Sequence, residues 1–367
     1  MKIGILTFHH TANYGGVLQS LALSRYIQSL GYNVEIIDYR PEEVEKFYWN
    51  NMRFLKLLPP YRTPQFSLID IDAFKRFIKY LKFQIFFNKY LPLSKQIFKT
   101  SKELLNIRNK YDLVICGSDQ IWHLNCSFRK FDSSFFLDFV NTDTSKIASY
   151  AASFGSTHNL GEYSLLISQL INRLNFISVR DLNSFNLVKQ LCDCDSQIVL
   201  DPTFLIDYDD LIVNPKIQEK FLIIYYHNCL SRTEEDAIIK FAHQHKLKIV
   251  SVGTSSEIAD YCFINLEPRE WLGLFKKSEF VFTNTFHGVI FSIIFRRQFV
   301  VLPLLEKSNK IDYLIHTCEL RDCYFTSINF TDESVNIPTI DYQSLWKKLD
   351  PKIRDSKQFI AKILSKI

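Results

Sequence analysis

The sequence predicts an α/β protein built from two Rossmann-like parallel-sheet domains that face a cleft, with a basic helical insertion in the first domain. Three observations lead there. Apolar runs of strand length recur along the 367 residues, each followed by a polar loop and then a stretch of helical spacing, the pattern of a parallel sheet with crossover helices. The chain is too long for one small core, and 47% hydrophobic with 23% charged residues is the balance of a soluble globular protein. Polar residues gather where the strands end, and open α/β sheets bind ligands there. The expected organisation is a first domain over residues 1–205 with its insertion at about 41–100, a second domain over 206–340, and a helical tail, 341–367, crossing back towards the first domain.

Lys2-Ile-Gly-Ile-Leu-Thr-Phe8 reads as the first strand. Its apolar part is too short for a signal peptide, and no apolar run approaches the roughly 18 residues of a membrane span. A cytoplasmic location follows as the expectation. The loop His9-His-Thr-Ala-Asn-Tyr-Gly-Gly16 leads into a helix from Val17 to Leu30, closed by Gly31, and Asn33–Tyr39 is the second strand. No G-x-G-x-x-G is present, so a dinucleotide site is not indicated. Asn13, Tyr14, Gly15 and Gly16 still stand at a strand exit, where paired glycines allow either a close ligand approach or a simple tight turn.

The pattern breaks between Pro41 and Thr100. From Lys46 to Lys102 twelve Lys or Arg face only Asp70 and Asp72, a local charge of +10 against +5 for the whole chain. Phe74 to Phe87 forms a basic, aromatic, amphipathic helix. Two readings are open: a peripheral contact with an anionic membrane at its inner face, or an insertion whose aromatics pack on the domain while its lysines are solvated. Nucleic acid is not an expected partner, because no recognised module surrounds the patch.

Tyr111–Cys116 is the next strand, and it delivers Gly117, Ser118, Asp119, Gln120 and Trp122 at its exit. Lys146–Gly155 repeats the motif, Phe176–Ser184 carries Arg180 and Asp181 out of a strand, and Gln197–Phe204 stops at Asp201-Pro202. After a linker near Leu205–Gln218, Phe221–Tyr226 opens a second sheet, continued by a helix from Thr233 to Lys246 and a strand from Leu247 to Val252. The stretch around which the second domain is organised is Phe280–Phe295. A buried strand, Phe280–Phe282, gives way to Thr283, Asn284 and Thr285, each able to cap a helix, and then to His287, Gly288 and an apolar helix. His287 thus falls at a helix N-terminus that favours anions. An imidazole there suits work on a phosphate or carboxylate, and equally suits a buried histidine bonded to backbone. The eight cysteines are scattered, and Cys192-x-Cys194 lacks the spacing of a zinc or redox site. Reduced thiols, no metal and no cofactor are expected.

Five phrases in order, Asn13–Gln19, Gly117–Trp122, Ser149–Gly155, Ser178–Asp181 and Thr283-Asn-Thr-Phe-His-Gly288, resemble the polysaccharide pyruvyltransferase family. The resemblance covers residues 1 to about 325. It implies the two-domain architecture known in glycosyltransferases as GT-B, and transfer of a pyruvyl group from phosphoenolpyruvate to sugar hydroxyls of a bacterial surface polysaccharide, usually as a cyclic ketal. Many members carry Asp where this chain has Asn284, and others carry Arg where it has Thr285. On this reading His287 handles a proton or the phosphate. Asp119 orients or deprotonates an acceptor hydroxyl. Arg180 and Lys310, the latter with Lys307 as competitor, grip the donor's anions beside Thr285, Gly288 and Asn284. Asn13, Tyr14, Gly15, Gly16, Ser118, Gln120 and Trp122 line the cleft or meet the acceptor, which is free or lipid-linked. Structural alternatives stay open: an Arg180 ion pair with Asp181 or Asp201, a solvated Lys310, a capping Asp119, a core Trp122. Competing functions are a GT-B enzyme using a nucleotide sugar and a non-catalytic protein of a polysaccharide-assembly complex.

Overall fold

The computed structural model describes residues 1–49, 71–124, 126, 129–227, 229–303, 309–330 and 335–366. The Pro59-Pro60 and Pro64 part of the insertion lies outside the described residues.

The first half runs β1 (Lys2–Leu6), α1 (Tyr14–Ser29), β2 (Asn33–Tyr39), α2 (Glu42–Trp49), α3 (Ile71–Tyr90), β3 (Leu93–Phe98), α4 (Ser101–Leu104), β4 (Leu113–Cys116) and β5 (Lys146–Ser149). These strands form one parallel five-stranded sheet in the order β3-β2-β1-β4-β5. The next elements, α5 (Ser164–Asn172), β6 (Ile177–Val179), α6 (Leu182–Leu191) and β7 (Ser196–Ile198), extend its β5 edge. β6 pairs with β7 and is tied to the edge by bridges from Ala148 to Phe176 and from Ala152 to Val179.

The second half runs β8 (Phe221–Tyr225), α7 (Arg232–His245), β9 (Lys248–Val252), β10 (Tyr261–Phe263), α8 (Pro268–Lys277), β11 (Phe280–Thr283), α9 (Phe286–Ile294), β12 (Gln298–Val301) and α10 (Asn309–Thr317). A short hairpin of β13 (Asn329–Phe330) and β14 (Val335–Asn336) precedes the long α11 (Tyr342–Leu364). The second sheet is again parallel, in the order β10-β9-β8-β11-β12.

Both sheets reverse direction of winding beside their first strand, between β1 and β4 and between β8 and β11. A crevice opens at such a switch point because the loops leaving the two strands turn to opposite faces. Every residue of β4, β8 and β11 is buried, as expected for parallel strands covered by helices on both faces.

The insertion differs from its expectation at one end. Leu93–Phe98 is an edge strand of the first sheet, and its alternation is mostly polar because only Ser94 and Phe98 face inwards. Helix α3 buries Phe83, Phe86 and Phe87 against Trp49 and Tyr14, so one apolar face of the basic helix is committed to the core. Phe74, Leu81 and Ile85 stay exposed. No helix among the described residues is long and apolar enough to cross a membrane.

The two halves are fastened at several points. Tyr14 of α1 stacks on Trp271 of α8, ring centroids 5.3 Å apart and nearly parallel, and Lys82 of α3 pairs with Glu270 at 2.8 Å. Helix α11 reaches across both: Tyr342 donates to the Ser292 and Arg297 carbonyls, while Ser356 accepts from the Leu200 backbone N–H at 2.9 Å and Phe359 packs beside Tyr150. The cysteine expectation needs a correction at one place. Cys192 and Cys194 form a disulfide, since the turn after α6 brings their Cα atoms to 5.2 Å; the other six cysteines are not disulfide-bonded.

Candidate active site

The loops leaving the four switch-point strands meet in one pocket of about 370 Å³, lined from the first half by Asn13, Gln120, His123, Gly155 and Ser156 and from the second by Tyr225, His227, Asn284–His287 and Asn309–Ile311. A hollow of similar size, about 400 Å³, lies at the opposite ends of β8, β11 and β12 beside Lys220, Glu279 and Gln298. It lacks the convergence of helix ends and histidines.

Three helices begin at the pocket. Asn13 caps α1, accepting from the Gly15 N–H at 3.0 Å, and Thr285 caps α9, accepting from the Gly288 N–H at 3.0 Å. Helix α10 starts at Asn309, whose amide donates to the Gly155 carbonyl at 3.2 Å across the cleft. Each N-terminus carries unpaired N–H groups and the positive end of a helix dipole, so the pocket is built for anions.

His287, in the first turn of α9, presses against the first turn of α1. A Cβ on Gly15 would lie 2.0 Å from its Cγ and Nδ1, which is why glycine stands there. The other ring nitrogen, Nε2, has no hydrogen bond among the described residues and lies 3.6 Å from Asp201 Oδ2. Arg180, leaving β6, pairs with Asp201 at 2.8 Å and lies 3.5 Å from Asp119. Among the described residues its Nε and Nη2 have no hydrogen-bond partner, although Nη2 faces Asp119 at ion-pair distance. Asp181, the other partner weighed for Arg180, instead caps α6, accepting from Ser184 N–H at 2.8 Å. Phe286 is within cation–π reach of two cations, with Arg180 4.6 Å and Lys310 5.5 Å from its ring centre.

The electrostatics are coupled. Burial works to raise the Asp201 carboxyl, but His287 and Arg180 outweigh it and hold it well below the usual carboxylate range. Asp119 is likewise pressed upward by burial and pulled down further by Arg180, Lys310 and His287. Lys310 is pushed down to about 8 by burial, with Arg180 adding to the effect. Burial lowers His123 and His227 as well, helped by Arg129 and Lys310 at the former and by Lys310 and Lys79 at the latter, so both imidazoles are neutral near neutral pH. Asp119 itself adopts φ +85°, a conformation that costs a non-glycine residue and clusters at functional sites.

The remaining sequence candidates divide. Gln120 and Asn13 line the pocket. Gly16 lies under Asp119, whose Oδ2 would sit 3.4 Å from an added Cβ. Ser118 is fully buried behind the site, donating to Asp201 at 3.2 Å. Asn284 exchanges hydrogen bonds with the His227 backbone at 2.7 and 2.9 Å, and the Thr285 hydroxyl caps α9, so both side chains shape the loop. Gly288 could not be larger, because a Cβ would meet Thr283 Oγ1 at 2.2 Å. Two corrections follow. Trp122 does not line the cleft: it is stacked on Phe136 in the first domain's core, and its N–H donates to the Phe135 carbonyl at 3.0 Å. Tyr14 is buried in the seam between the halves, its hydroxyl donating to the Leu266 carbonyl at 3.2 Å. Lys307 lies outside the described residues. Sequence reasoning named Asp201 only as a possible ion-pair partner of Arg180, a pair the structure forms, and missed His123, His227, Ser156 and Asn309. Of those four, His227 carried a signal, standing two residues after β8 at a switch-point exit. Among the described residues no cluster of three or more His, Cys, Asp or Glu could hold a metal ion.

Among solved structures, the Anabaena protein HepE, determined with UDP and glucose, matches with a TM-score of 0.50 at 10% identity over 100% of both chains. The UDP-GlcNAc 2-epimerase of Methanocaldococcus jannaschii matches at 0.49 and 11% identity, again over 100% of both chains. The Escherichia coli ADP-heptose heptosyltransferase II matches at 0.39 and 12%, over 97% of this chain and 100% of the other. Such distant likeness concerns the fold alone, which is of GT-B type. No curated protein matches the sequence significantly. A family model described as polysaccharide pyruvyl transferase matches residues 13–304, a span holding the α1 and α9 ends of the pocket, Arg180, Asp201 and His287, with Asn309–Ile311 just beyond it. The chain therefore belongs to the polysaccharide pyruvyl transferase family and is a transferase of polysaccharide biosynthesis.

Proposed function

We propose that the protein transfers a pyruvyl group from phosphoenolpyruvate to a pair of sugar hydroxyls, closing a cyclic ketal. The observation that carries this reading is the His287 imidazole, its Nε2 facing Asp201 at 3.6 Å with no hydrogen bond among the described residues, set where helix N-termini meet near Arg180 and Lys310. Phosphoenolpyruvate packs a phosphate and a carboxylate into one small molecule, and such a donor needs cations and helix-end N–H groups rather than a nucleoside pocket.

The chemistry can be followed atom by atom. A proton is delivered to the C3 methylene, making it a methyl group, while the first acceptor hydroxyl bonds through oxygen to C2. The second hydroxyl oxygen then takes the place of the phosphate, whose C2–O bond breaks. Of the two hydroxyl protons released, one balances the proton gained at C3 and the other leaves with phosphate. His287 supplies the proton or bears on the departing phosphate, and Arg180 and Lys310 stabilise the charge that develops there. Asp119 stays ionised far below neutral pH, which suits orienting a hydroxyl better than removing its proton. His123 and His227, neutral and lining the same pocket, are better matched to that removal.

The test is phosphate release on incubation with phosphoenolpyruvate and galactose-, glucose- and mannose-type acceptors. Release with at least one acceptor, and thermal stabilisation by phosphoenolpyruvate, are expected. Stabilisation by UDP-sugars alone, without phosphate release, would replace this reading with nucleotide-sugar transfer.

A further inference from the structure

The imidazole of His287 is held between two pieces of the first half. On one side lies the first turn of α1, where a Cβ on Gly15 would fall 2.0 Å from Nδ1 and Cγ. On the other lies the 3-10 turn Pro202–Phe204, which follows β7, packs on α1 and is capped by Asp201. His287 lines the pocket, yet its Nε2 is shut away from it. That atom is buried, has no hydrogen bond among the described residues, and faces Asp201 Oδ2 at 3.6 Å. Nδ1 is the ring nitrogen left to reach the pocket.

The carboxylate opposite is fixed from both ends. Oδ1 accepts from the Thr203 N–H at 3.1 Å and from the Thr203 hydroxyl at 2.8 Å. Oδ2 accepts from Arg180 Nη1 at 2.8 Å and from the Ser118 hydroxyl at 3.2 Å. Four donors, one of them charged, already satisfy Asp201, so its burial does not require His287. Burial would raise the carboxyl, but His287 and Arg180 keep it ionised, and an ionised carboxylate only accepts. A lone pair on Nε2 would therefore point at negative charge, whereas an N–H there meets an acceptor that cannot turn away. At 3.6 Å the contact is longer than a hydrogen bond, and contacts of this kind in active sites tighten when substrate arrives.

We propose that Asp201 is the positioning residue of His287: it holds the ring protonated on Nε2 and turns Nδ1, beside the N-terminus of α1, towards the donor. The assignment rests on the pyruvyl-transfer reading for the reaction that His287 performs. In that reaction the imidazolium gives its Nδ1 proton to the C3 methylene. The neutral ring keeps its Nε2–H against Asp201, and one of the two protons released by the acceptor hydroxyls restores Nδ1–H. Asp201 touches no reacting atom. It sets which nitrogen works, because the partner of one ring nitrogen decides the protonation of the other, and its charge favours the imidazolium.

The experiment records two-bond proton–nitrogen correlation spectra of the full chain with 15N-labelled histidine and no substrate, the His287 signals being those that His287→Gln lacks. Phosphate release from phosphoenolpyruvate is measured on the same proteins. At a pH where the ring is neutral, wild type should carry its proton on Nε2, and that proton should be protected from exchange with water. Asp201→Asn should weaken the preference for Nε2–H about tenfold or more, the worth of one charge-assisted contact, and lower kcat on the order of 100-fold. Arg180→Gln, which removes the other charge facing Asp201, should raise the KM for phosphoenolpyruvate and leave the tautomer as in wild type. A wild-type ring protonated on Nδ1, a wild-type tautomer in Asp201→Asn, or an equal shift in Arg180→Gln would each overturn the proposal. If Asp201→Asn does not fold, wild type decides: an Nε2–H that exchanges freely with water overturns it. The expected tautomers without phosphate release from any acceptor would sink the pyruvyl-transfer reading and leave the Asp201–His287 pair standing. Release by an enzyme whose ring is protonated on Nδ1 would do the reverse.

Discussion

Replacing Gly15 by alanine tests the site at its tightest point. The added Cβ would fall 2.0 Å from Cγ and Nδ1 of His287, where ordinary contact begins at 3.4 Å. The imidazole or the first turn of α1 must therefore yield by about 1.4 Å. Backbone conformation offers no obstacle, because Gly15 lies in regular helix and alanine is the better helix former by up to about 1 kcal/mol. The consequence falls on geometry. A displacement of about 1 Å at a reacting group costs on the order of 100-fold in rate, or about 2.7 kcal/mol of barrier, and the crowding itself costs about 1–3 kcal/mol of stability. Gly16→Ala supplies an internal control, since its nearest neighbours, Thr11 Oγ1 and Asp119 Oδ2, are 3.1 and 3.4 Å away. With phosphate release from phosphoenolpyruvate as the assay and thermal unfolding as the check on folding, Gly15→Ala should lose about 100-fold in kcat while Gly16→Ala loses far less. A folded Gly15→Ala enzyme as active as Gly16→Ala would refute the place given to His287.

Other consequences can be checked alongside. Above about pH 8, where Lys310 loses its proton, kcat/KM for phosphoenolpyruvate should fall, and Lys310→Arg should carry the decline to higher pH. Asp38 is held at about 2: burial opposes ionisation, but His9 and Arg40 overcome it. Its folded value is depressed, so it stabilises the protein by about 2 kcal/mol above about pH 5, and this is lost as pH falls through 4 towards 2. Asp38→Asn should therefore lower stability at pH 7 and flatten acid unfolding in that window, followed by circular dichroism. Trp122→Ala should cost about 3–5 kcal/mol in denaturant unfolding, because the indole is buried against Phe136 and Phe154.

Much of this molecule could be read from residue order, and the exceptions have causes. The strand-to-helix turn at His287 was legible because an apolar run, capping residues and a second apolar run are local features, and β11 and α9 follow them closely. The two-sheet organisation was legible for the same reason. Asp201 was legible only in part. Its place at a strand exit made it a candidate partner of Arg180, and that pair forms, but only the tertiary packing sets it 3.6 Å from His287. Trp122 was misplaced because it ends a phrase whose first residues do face the cleft, and one further residue turns the chain into the core. β3 was absorbed into the insertion because an edge strand with polar alternation lacks the apolar run that marks its central neighbours. The burial of Lys79 depends on α3 crossing α1, a contact between segments over 60 residues apart that no local pattern announces.

The most direct measurement is the rate of phosphate release from phosphoenolpyruvate, with a productive saccharide acceptor, by the wild type and by folded His287→Gln. The account predicts steady release coupled to a pyruvylated sugar in the wild type and a loss of on the order of 100-fold or more in the variant, in line with removal of a general acid. A His287→Gln protein that keeps the wild-type rate would contradict it.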